Sequence, residues 1–469
     1  MKSVDVLQEL SDIKRLVVVL VEENTRLRAR VADLEVQLAR NSKNSHQPPS
    51  ADKPYDKPSP KPAIPKPDGK NKGGQPGHNG DTLKMTDRPD KTVFHDPVTC
   101  ACGASLSGVE GTIKERRQVF EMPEPRLEVT EHAVREKICT CGCRNTGVFP
   151  ENVKSPVQYG TGVNTFTALL STHCHLSYNK ICELFNDLFD YTINVSTVVS
   201  QVKRCYTSLE GTANRIKEKI LSSPCVHFDE TGIKGPPKLI WLHSAGTPKL
   251  TFQFVHPDRG NKAMSSEESL LPHYTGTAVH DCLRGYFSFD NCSHAICGAH
   301  LLRELNGLIE SGSKWAVSFH KFLMMMYRVS DKGTGTIKHH RDWLERIYDV
   351  ICAQADMEEP QAVRTTEKQG CTKSSKGRKL LNRLRKHKDS VLAFTKQSII
   401  PFTNNQAERD VRPCKGKIKI AGAFRTFQGA KEFARIQGCI STFRKQNLNT
   451  FKELKKCLSN RNYQLALQT

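Results

Sequence analysis

The chain has 469 residues, enough for two or three domains and a large buried core. Its formal net charge is +21, with 70 Lys and Arg against 49 Asp and Glu, which indicates a polyanionic partner, most simply nucleic acid. The longest apolar run, residues 16–21, is far shorter than the roughly 18 residues of a membrane-crossing helix, so no membrane partner is expected. No secretory signal is evident, and we expect a cytoplasmic, nucleoid-associated protein.

An unbroken heptad repeat runs from Val6 to Leu38, and residues 1–40 are predicted to form a parallel coiled coil, a leucine zipper. Asn24 is the one polar residue at an a position, the kind that fixes register and favours two strands. We therefore expect a homodimer or higher oligomer; the alternative is an amphipathic helix packed on its own domain. The a positions are Leu10, Val17, Asn24, Val31 and Leu38, and the d positions are Val6, Ile13, Leu20, Leu27 and Leu34.

Residues 41–90 are predicted to be a basic linker rich in Pro and Lys. The segment has no apolar periodicity and cannot bury enough surface to offset its chain entropy. Its lysines could track a phosphate backbone, and a solvated spacer is an equally good interpretation.

Residues 91–155 contain two matched cysteine pairs, each followed by glycine. Cys100 and Cys102 form the first pair, and Cys139 and Cys141 form the second, with strand-like text such as RLEVTEHAV between them. In a reducing compartment such cysteines are thiols or metal ligands, and thiolates suit a tetrahedral Zn²⁺ site. We predict a zinc-ribbon-like DNA-binding domain with structural zinc; Cys143 is a candidate substitute ligand, and a cluster of free thiols is the alternative.

Residues 156–222 have helical three-to-four spacing, typical of either a small DNA-binding unit or a packing scaffold. Residues 223–430 then read as three strands, a helix, a fourth strand ending in VHD, a helical insertion at about 295–395, and a later helix bearing Glu408. That order is typical of a ribonuclease-H-like α/β domain, and residues 431–469 are predicted to be a helical tail. The fold class is therefore multidomain α+β.

Three carboxylates stand out as candidate catalytic metal ligands. Asp229 and Asp281 each follow a short apolar run, and Glu408 lies near a predicted helix start, where Thr403 and Gln406 form a capping box. On such a fold the three would hold two Mg²⁺ or Mn²⁺ ions about 4 Å apart for phosphodiester chemistry. Cationic side chains after Glu408 are predicted to contact DNA: Arg409, Arg412, Lys415, Lys417, Lys419 and Arg425.

Taken together, these segments resemble the transposases of the insertion-sequence family sixty-six (IS66). The resemblance covers essentially the whole chain and includes GGQPGHNG, VHFDETG, TAVHD, CGAHLLREL and FTNNQAERDVRP. It implies an acidic-triad (DDE) transposase with Asp229, Asp281 and Glu408 as metal ligands, acting on double-stranded DNA at the element ends and target. Members typically act beside accessory proteins of the same element.

Two other functions are open from the sequence. A dimeric zinc-ribbon DNA-binding regulator needs only the zipper, the zinc domain and the basic linker. In that case the α/β domain has no catalytic activity. A structure-selective nuclease of the same fold would cut DNA without joining it. Lone Cys297-x-x-His300 on a predicted helix is interpreted as core rather than a second zinc site.

Overall fold

The structure is a computed structural model, and it places the chain in two compact units. Within the described residues, the larger unit comprises those of 17–44, 154–182 and 193–468, and the smaller comprises 82–153 and 183–192. The described residues are 17–28, 30–31, 34–35, 38–39, 41–42, 44, 82–331, 341–361, 374–460 and 463–468.

A five-stranded mixed sheet forms the centre of the larger unit, in the order β5-β4-β3-β6-β7. The strands β3, β4 and β5 pair antiparallel, whereas β6 and β7 continue the sheet parallel to β3. An antiparallel hairpin joins β4 to β5, and β3, β4 and β5 are the three strands predicted in succession. The strands are β3 (Cys225–Lys234), β4 (Leu239–Gly246), β5 (Thr251–His256), β6 (Thr277–His280) and β7 (Ser293–Ile296).

The fifth strand differs from the prediction. The sequence pattern predicts four strands and places Ser293–Ile296 in the helical text that follows. The strand has only four residues and is followed almost at once by a helix, so periodicity alone could not separate the two. The helices of the insertion therefore begin at Gly298.

Thirteen α-helices lie between residues 161 and 459, within the described part of the chain. In chain order they are α1 (Thr161–Thr172), α2 (Tyr178–Phe189), α3 (Val195–Ser208), α4 (Glu210–Leu221), α5 (Asn261–Met264), α6 (Gly298–Glu310), α7 (Lys314–Asp331), α8 (Arg341–Glu358), α9 (Lys376–Lys386), α10 (Lys388–Val391), α11 (Asn405–Ala421), α12 (Phe427–Lys445) and α13 (Thr450–Ser459). Short 3₁₀ helices lie at Leu271–His273, Arg284–Ser288 and Ala393–Thr395. Among the residues that the structure describes, no helix is long and apolar enough to cross a membrane.

One core joins the sheet to helices from both ends of the larger unit. Val202 on α3 and Ile216 on α4 share it with Phe228 on β3 and Ile440 on α12. The helices before the sheet are therefore packed into its core. The structure corrects the predicted start of the helical tail at residue 431. That boundary falls inside α12, whose apolar side chains are buried against this core.

A second core lies on the other side of the parallel strands, beneath the helices between β7 and α11. Val279 on β6 and Ile296 on β7 pack with Leu302 on α6, Phe319 on α7 and Tyr348 on α8. A third core fixes α11 and α12 on β3, β4 and β5, and its members include Ile233, Leu242, Val255, Val411 and Phe433. The helix that carries Glu408 is thus held directly on the sheet.

The smaller unit has little regular structure. A two-stranded antiparallel hairpin joins β1 (Glu136–Ile138) to β2 (Arg144–Thr146). Residues 126–134, expected to be strand-like, have no helix or strand assigned. Large apolar side chains such as Val129, at 91% exposure, are on its surface.

The N-terminal segment is helical over residues 17–28. The predicted seam residues Val17, Leu20 and Leu27 are each more than half exposed in the single chain. The seam positions Val6, Leu10 and Ile13, and most of the proposed linker, lie outside the described residues.

Candidate active site

Asp229 lies within β3, and Asp281 directly follows the neighbouring parallel strand β6. His227 on β3 pairs with Val279 on β6. Asp229 and Asp281 each come two residues after one member of this pair. Strands in a sheet are about 4.8 Å apart, and residues two apart point to the same face. The fold therefore brings these two carboxylates to one edge of the sheet, on the face covered by α11.

The turn after Asp281 is fixed by hydrogen bonds. Asp281 Oδ1 accepts the backbone N–H of Leu283 at 3.0 Å, and Cys282 has a left-handed backbone with φ of 75°. The Cys282 N–H donates to His280 Nδ1 at 3.2 Å, which leaves the His280 proton on Nε2, 3.1 Å from His294 Nδ1. His280 is fully buried, and burial lowers its pKa well below the ordinary value. His280, the residue before Asp281, is therefore a neutral imidazole with a structural role.

Glu408 comes from the first turn of α11, whose start differs from the prediction. The helix has Asn404 at its N-cap, and no side chain caps it, so the capping box of Thr403 and Gln406 is wrong. The Gln406 amide instead donates to Asp410 Oδ1 at 3.1 Å. The backbone N–H of Glu408 donates to the Asn404 carbonyl at 3.3 Å.

Electrostatics link the three predicted carboxylates. Burial raises the pKa of Asp229 well above its ordinary value, and the charges of Glu230, Asp281 and Glu408 raise it further. Lys415 acts in the opposite direction and lowers the Asp229 pKa. Because each of the three acids is half-buried, like charges at this edge interact strongly. The site is one that favours a proton or a cation.

Glu408 is also the centre of contacts that the sequence pattern did not predict. Its Oε1 atom is buried and accepts no hydrogen bond within the described residues. His300 Nε2 lies 3.9 Å away and an Arg303 nitrogen 3.8 Å away, both on α6. Cys297 is fully buried, as expected, but His300 faces the carboxylate rather than the core. The sequence contained one indication of this arrangement: His300 and Arg303 are three residues apart, so they are neighbours on one face of a helix.

Glu230 is a fourth acid beside the site, and it is engaged elsewhere. Its Oε2 accepts the Tyr286 hydroxyl at 2.6 Å, and its Oε1 accepts Arg259 Nε at 3.0 Å. Alternation along β3 places it on the opposite face from Asp229. Glu230 therefore adds charge to the site without turning its carboxylate towards it.

The side chains do not form a closed metal cluster as they stand. Across the described ranges, no group of three or more His, Cys, Asp or Glu side chains is close enough to hold an ion. A cavity of about 340 Å³ is lined by residues such as Tyr206, Phe252 and Arg435 and by none of these acids.

A basic stripe extends from Glu408 along α11. Arg412, Lys415 and Lys419 follow Glu408 at helical spacing, and all three are exposed. Arg409 is exposed next to Glu408 and donates to Gln406 at 2.9 Å. Arg425, beyond the end of the helix, is exposed as well.

The structure corrects the predicted set of DNA-contacting residues at one position, Lys417. Its ammonium is half-buried and lies 3.2 Å from the carbonyl of Ser171, 3.3 Å from that of Leu176 and 3.5 Å from that of His175. These carbonyls are at the C-terminal end of α1 and just beyond it, where backbone acceptors lack helical partners. Burial lowers the Lys417 pKa. The residue fastens α11 to α1 instead of facing DNA.

Many of the basic side chains in the insertion form ion pairs with acidic side chains of the same insertion. Arg378 is 2% exposed and lies 2.7 Å from Asp356. Lys388 lies 2.9 Å from Asp349, and Arg383 contacts Glu304 at 2.5 Å. These ion pairs hold the insertion helices together, so its charge density overstates the positive surface it presents.

The two cysteine pairs in the smaller unit form matched turns. Gly103 and Gly142 each have positive φ and donate to the carbonyl three residues earlier, of Cys100 and Cys139. The Ala104 amide lowers the pKa of Cys102, and the Cys141 amide lowers that of Cys139. Each turn thus directs backbone N–H groups at sulfur, while among the described residues the two pairs are not gathered into one site.

Comparison with known proteins gives two family matches. The model described as Transposase IS66 family matches residues 157–432, which is more than half of the chain. A model described as a family of unknown function (DUF6444) matches residues 5–84. No curated protein matches the sequence.

Proposed function

Because this chain belongs to the IS66 family of transposases, we propose that it binds the terminal inverted repeats of its insertion sequence and catalyses DNA strand cleavage and strand transfer. Asp229, Asp281 and Glu408 are the catalytic residues. The observation that carries the proposal is their convergence: strand register aligns the two aspartates, and both Asp281 and Glu408 raise the pKa of Asp229.

The architecture of the larger unit supports this assignment. Three antiparallel strands followed by two parallel strands on the far side of β3 are consistent with a ribonuclease-H-like domain. Ligands of open α/β sheets bind beyond the carboxyl ends of parallel strands. Asp281 directly follows β6, and Glu408 is brought to the same edge by α11.

The acidic residues fit divalent metal ions. All three donors are carboxylates, and oxygen ligands are preferred by Mg²⁺ and Mn²⁺. The buried Glu408 Oε1 accepts no hydrogen bond from any described residue. Burial raises the pKa of Asp229, and the neighbouring carboxylates raise it further, which is negative charge that a cation would offset. A pair of such ions supplies a deprotonated nucleophile and stabilises the leaving oxygen.

The protein side chains then orient the reacting strand. Backbone N–H groups of Glu230 and Leu283 each hold one oxygen of Asp229 and Asp281, at 2.9 and 3.0 Å. In the first step water attacks the phosphorus at the element end and the P–O3′ bond breaks, which frees the 3′-hydroxyl. In the second step this hydroxyl attacks a phosphorus of target DNA and displaces the 3′ oxygen of the target strand. Arg412, Lys415 and Lys419 lie in line with Glu408 and are placed to neutralise successive phosphates.

We assign structural zinc to the smaller unit, with Cys100, Cys102, Cys139 and Cys141 as ligands. The matched turns and the lowered pKa values of Cys102 and Cys139 support thiolate ligation. In this proposal the unit is a zinc-ribbon-like module that contacts DNA.

The exposed apolar face of the N-terminal helix supports pairing with a second copy of the chain. We therefore propose a coiled-coil dimer or higher oligomer that acts in the cytoplasm on double-stranded DNA, beside accessory proteins of the same element. Dimerisation would present two zinc modules and two catalytic units to paired element ends.

The test is incubation of purified protein with a labelled element end and Mg²⁺ or Mn²⁺, followed by analysis of nicked and joined products. The wild type and the exposed-site control Asp290→Asn should nick and join, whereas Asp229→Asn should bind the end without doing either. A pre-cleaved end with a free 3′-hydroxyl separates the activities, since a nuclease that only cuts would not insert it. Unchanged joining by Asp229→Asn would contradict the proposal.

A further inference from the structure

Asn404 lies at a junction between the elements that bring the candidate catalytic residues together. It is 1% exposed and directly precedes α11, four residues before Glu408. An asparagine at an N-cap usually accepts a hydrogen bond from its own helix, and this one does not. Its side chain is used for contacts across the fold.

The side-chain amide joins α11 to β3. Asn404 Nδ2 donates to the carbonyl of Phe228 at 2.7 Å, and Asn404 Oδ1 lies 2.8 Å from His227 Nδ1. Because the amide nitrogen is committed to a carbonyl, Oδ1 must be the acceptor and His227 must carry its proton on Nδ1. His227 and Phe228 are the two residues before Asp229, so the contact fixes the backbone that presents this acid.

The main chain of Asn404 joins the same point to α6 and to Glu408. Its N–H donates to Cys297 Sγ at 3.1 Å, at the residue where α6 begins. Its carbonyl accepts the N–H of Glu408 at 3.3 Å. One buried residue thus contacts the strand of Asp229, the helix of His300 and Arg303, and Glu408 itself.

We infer that Asn404 is a positioning residue that sets Glu408 against Asp229 for metal binding, an inference that rests on the proposed function. Only an amide of this length meets both demands. Aspartate keeps the acceptor for His227 but turns an oxygen towards the Phe228 carbonyl, and leucine leaves both buried partners unpaired.

The experiment compares Asn404→Asp with Asn405→Ala, a matched control at the exposed neighbouring position. Mn²⁺ affinity of the full-length protein is measured by titration, alongside cleavage, binding of the element end and thermal unfolding. We expect Asn404→Asp to lose about 10- to 100-fold in Mn²⁺ affinity and cleavage, as outer-shell substitutions at metal sites do. DNA binding should persist, and higher Mn²⁺ should partly restore cleavage. Asn405→Ala should resemble the wild type.

A second pair of variants keeps the inference testable if Asn404→Asp fails to fold. His227→Asn can place an amide N–H where Nδ1–H stands and should retain Mn²⁺ affinity, whereas His227→Leu should lose it. A folded Asn404→Asp protein with wild-type Mn²⁺ affinity would overturn the inference, as would equal affinities of the two His227 variants. If the wild type neither cuts nor joins DNA, the proposed function fails, and the Mn²⁺ titrations still decide the role of Asn404.

Discussion

After burial and the charge of Glu230, the charge of Asp281 raises the pKa of Asp229, although Asp229 lies in β3 and Asp281 follows β6, far away in the sequence. The cause is the parallel pairing of β3 with β6, which aligns the residues that follow His227 and Val279. Together with burial, Glu230 and Glu408, Asp281 makes the ionised form of Asp229 unfavourable in the metal-free protein. A site of this kind sacrifices stability for function.

Neutralising Asp229 should therefore stabilise the metal-free protein. Its pKa in the folded state is above that in the unfolded state, so its contribution to stability is full below the unfolded value and is lost as pH rises through the folded value. We expect Asp229→Asn to unfold at a higher temperature than the wild type at pH 7, by about 2 to 4 °C for each kcal/mol.

The difference in unfolding temperature should shrink as the pH is lowered towards the ordinary carboxyl pKa. Mn²⁺ should stabilise the wild type more than the variant, because an ion stabilises in proportion to its affinity for the folded state and the variant lacks one of the proposed ligands. Calorimetry across pH measures both effects. A variant that is less stable than the wild type at pH 7 would argue against a strained acidic edge.

Lys417 and Lys419 should behave differently, although the charge pattern predicts DNA contact for both. Lys417→Ala removes an ammonium that serves the carbonyls of Ser171, His175 and Leu176, and should destabilise the protein by about 1 to 3 kcal/mol. Lys419→Ala alters an exposed residue and should leave stability unchanged. It should weaken DNA binding and reduce the slope of log K against log salt concentration by about one. Thermal unfolding and salt titrations of binding check both. Equal effects of the two variants on stability would contradict the role of Lys417 in fastening α11 to α1.

Removal of zinc should affect the smaller unit alone. We expect about one Zn²⁺ per chain, lost in Cys102→Ser and Cys139→Ser but retained in Cys174→Ser, a control at an exposed cysteine of the larger unit. Without zinc, Cys102 and Cys139 should react quickly with an alkylating reagent, because backbone N–H groups lower their pKa. Elemental analysis and mass spectrometry measure these outcomes. Equal zinc loss in Cys174→Ser would rule out the proposed ligands.

The N-terminal heptads should determine oligomeric state. Asn24→Leu removes the polar a residue that favours two strands, and we expect a changed oligomer number in the full-length protein. Arg26→Ala, at a neighbouring exposed position outside the seam, should have no such effect. Sedimentation measures both proteins, and identical behaviour of Asn24→Leu and the wild type would count against this register.

The parts of the fold that can be predicted well from sequence are those with a strong local signal. The apolar runs before Asp229 and Asp281 indicate β3 and β6, and a turn between alternating segments indicates the hairpin of β4 and β5. The short strand Ser293–Ile296 escapes prediction because four residues carry little periodicity beside a helix.

The errors at the candidate site concern side chains whose partners are distant in sequence. Asn404 follows a predicted capping residue, whereas its amide bonds to His227 and Phe228 on β3. Charge alone suggests that Lys417 contacts DNA, but the end of α1 lies close enough to bind it. Local pattern cannot disclose either contact, since both depend on how α11 packs on the rest of the larger unit.

The most direct measurement of the central claim is the location of Mn²⁺ by anomalous diffraction from crystals of the protein soaked in that ion. The account predicts two peaks about 4 Å apart, bounded by the carboxylates of Asp229, Asp281 and Glu408. Mn²⁺ held elsewhere in crystals of a protein that cleaves DNA, with these three side chains turned away from it, would contradict the account.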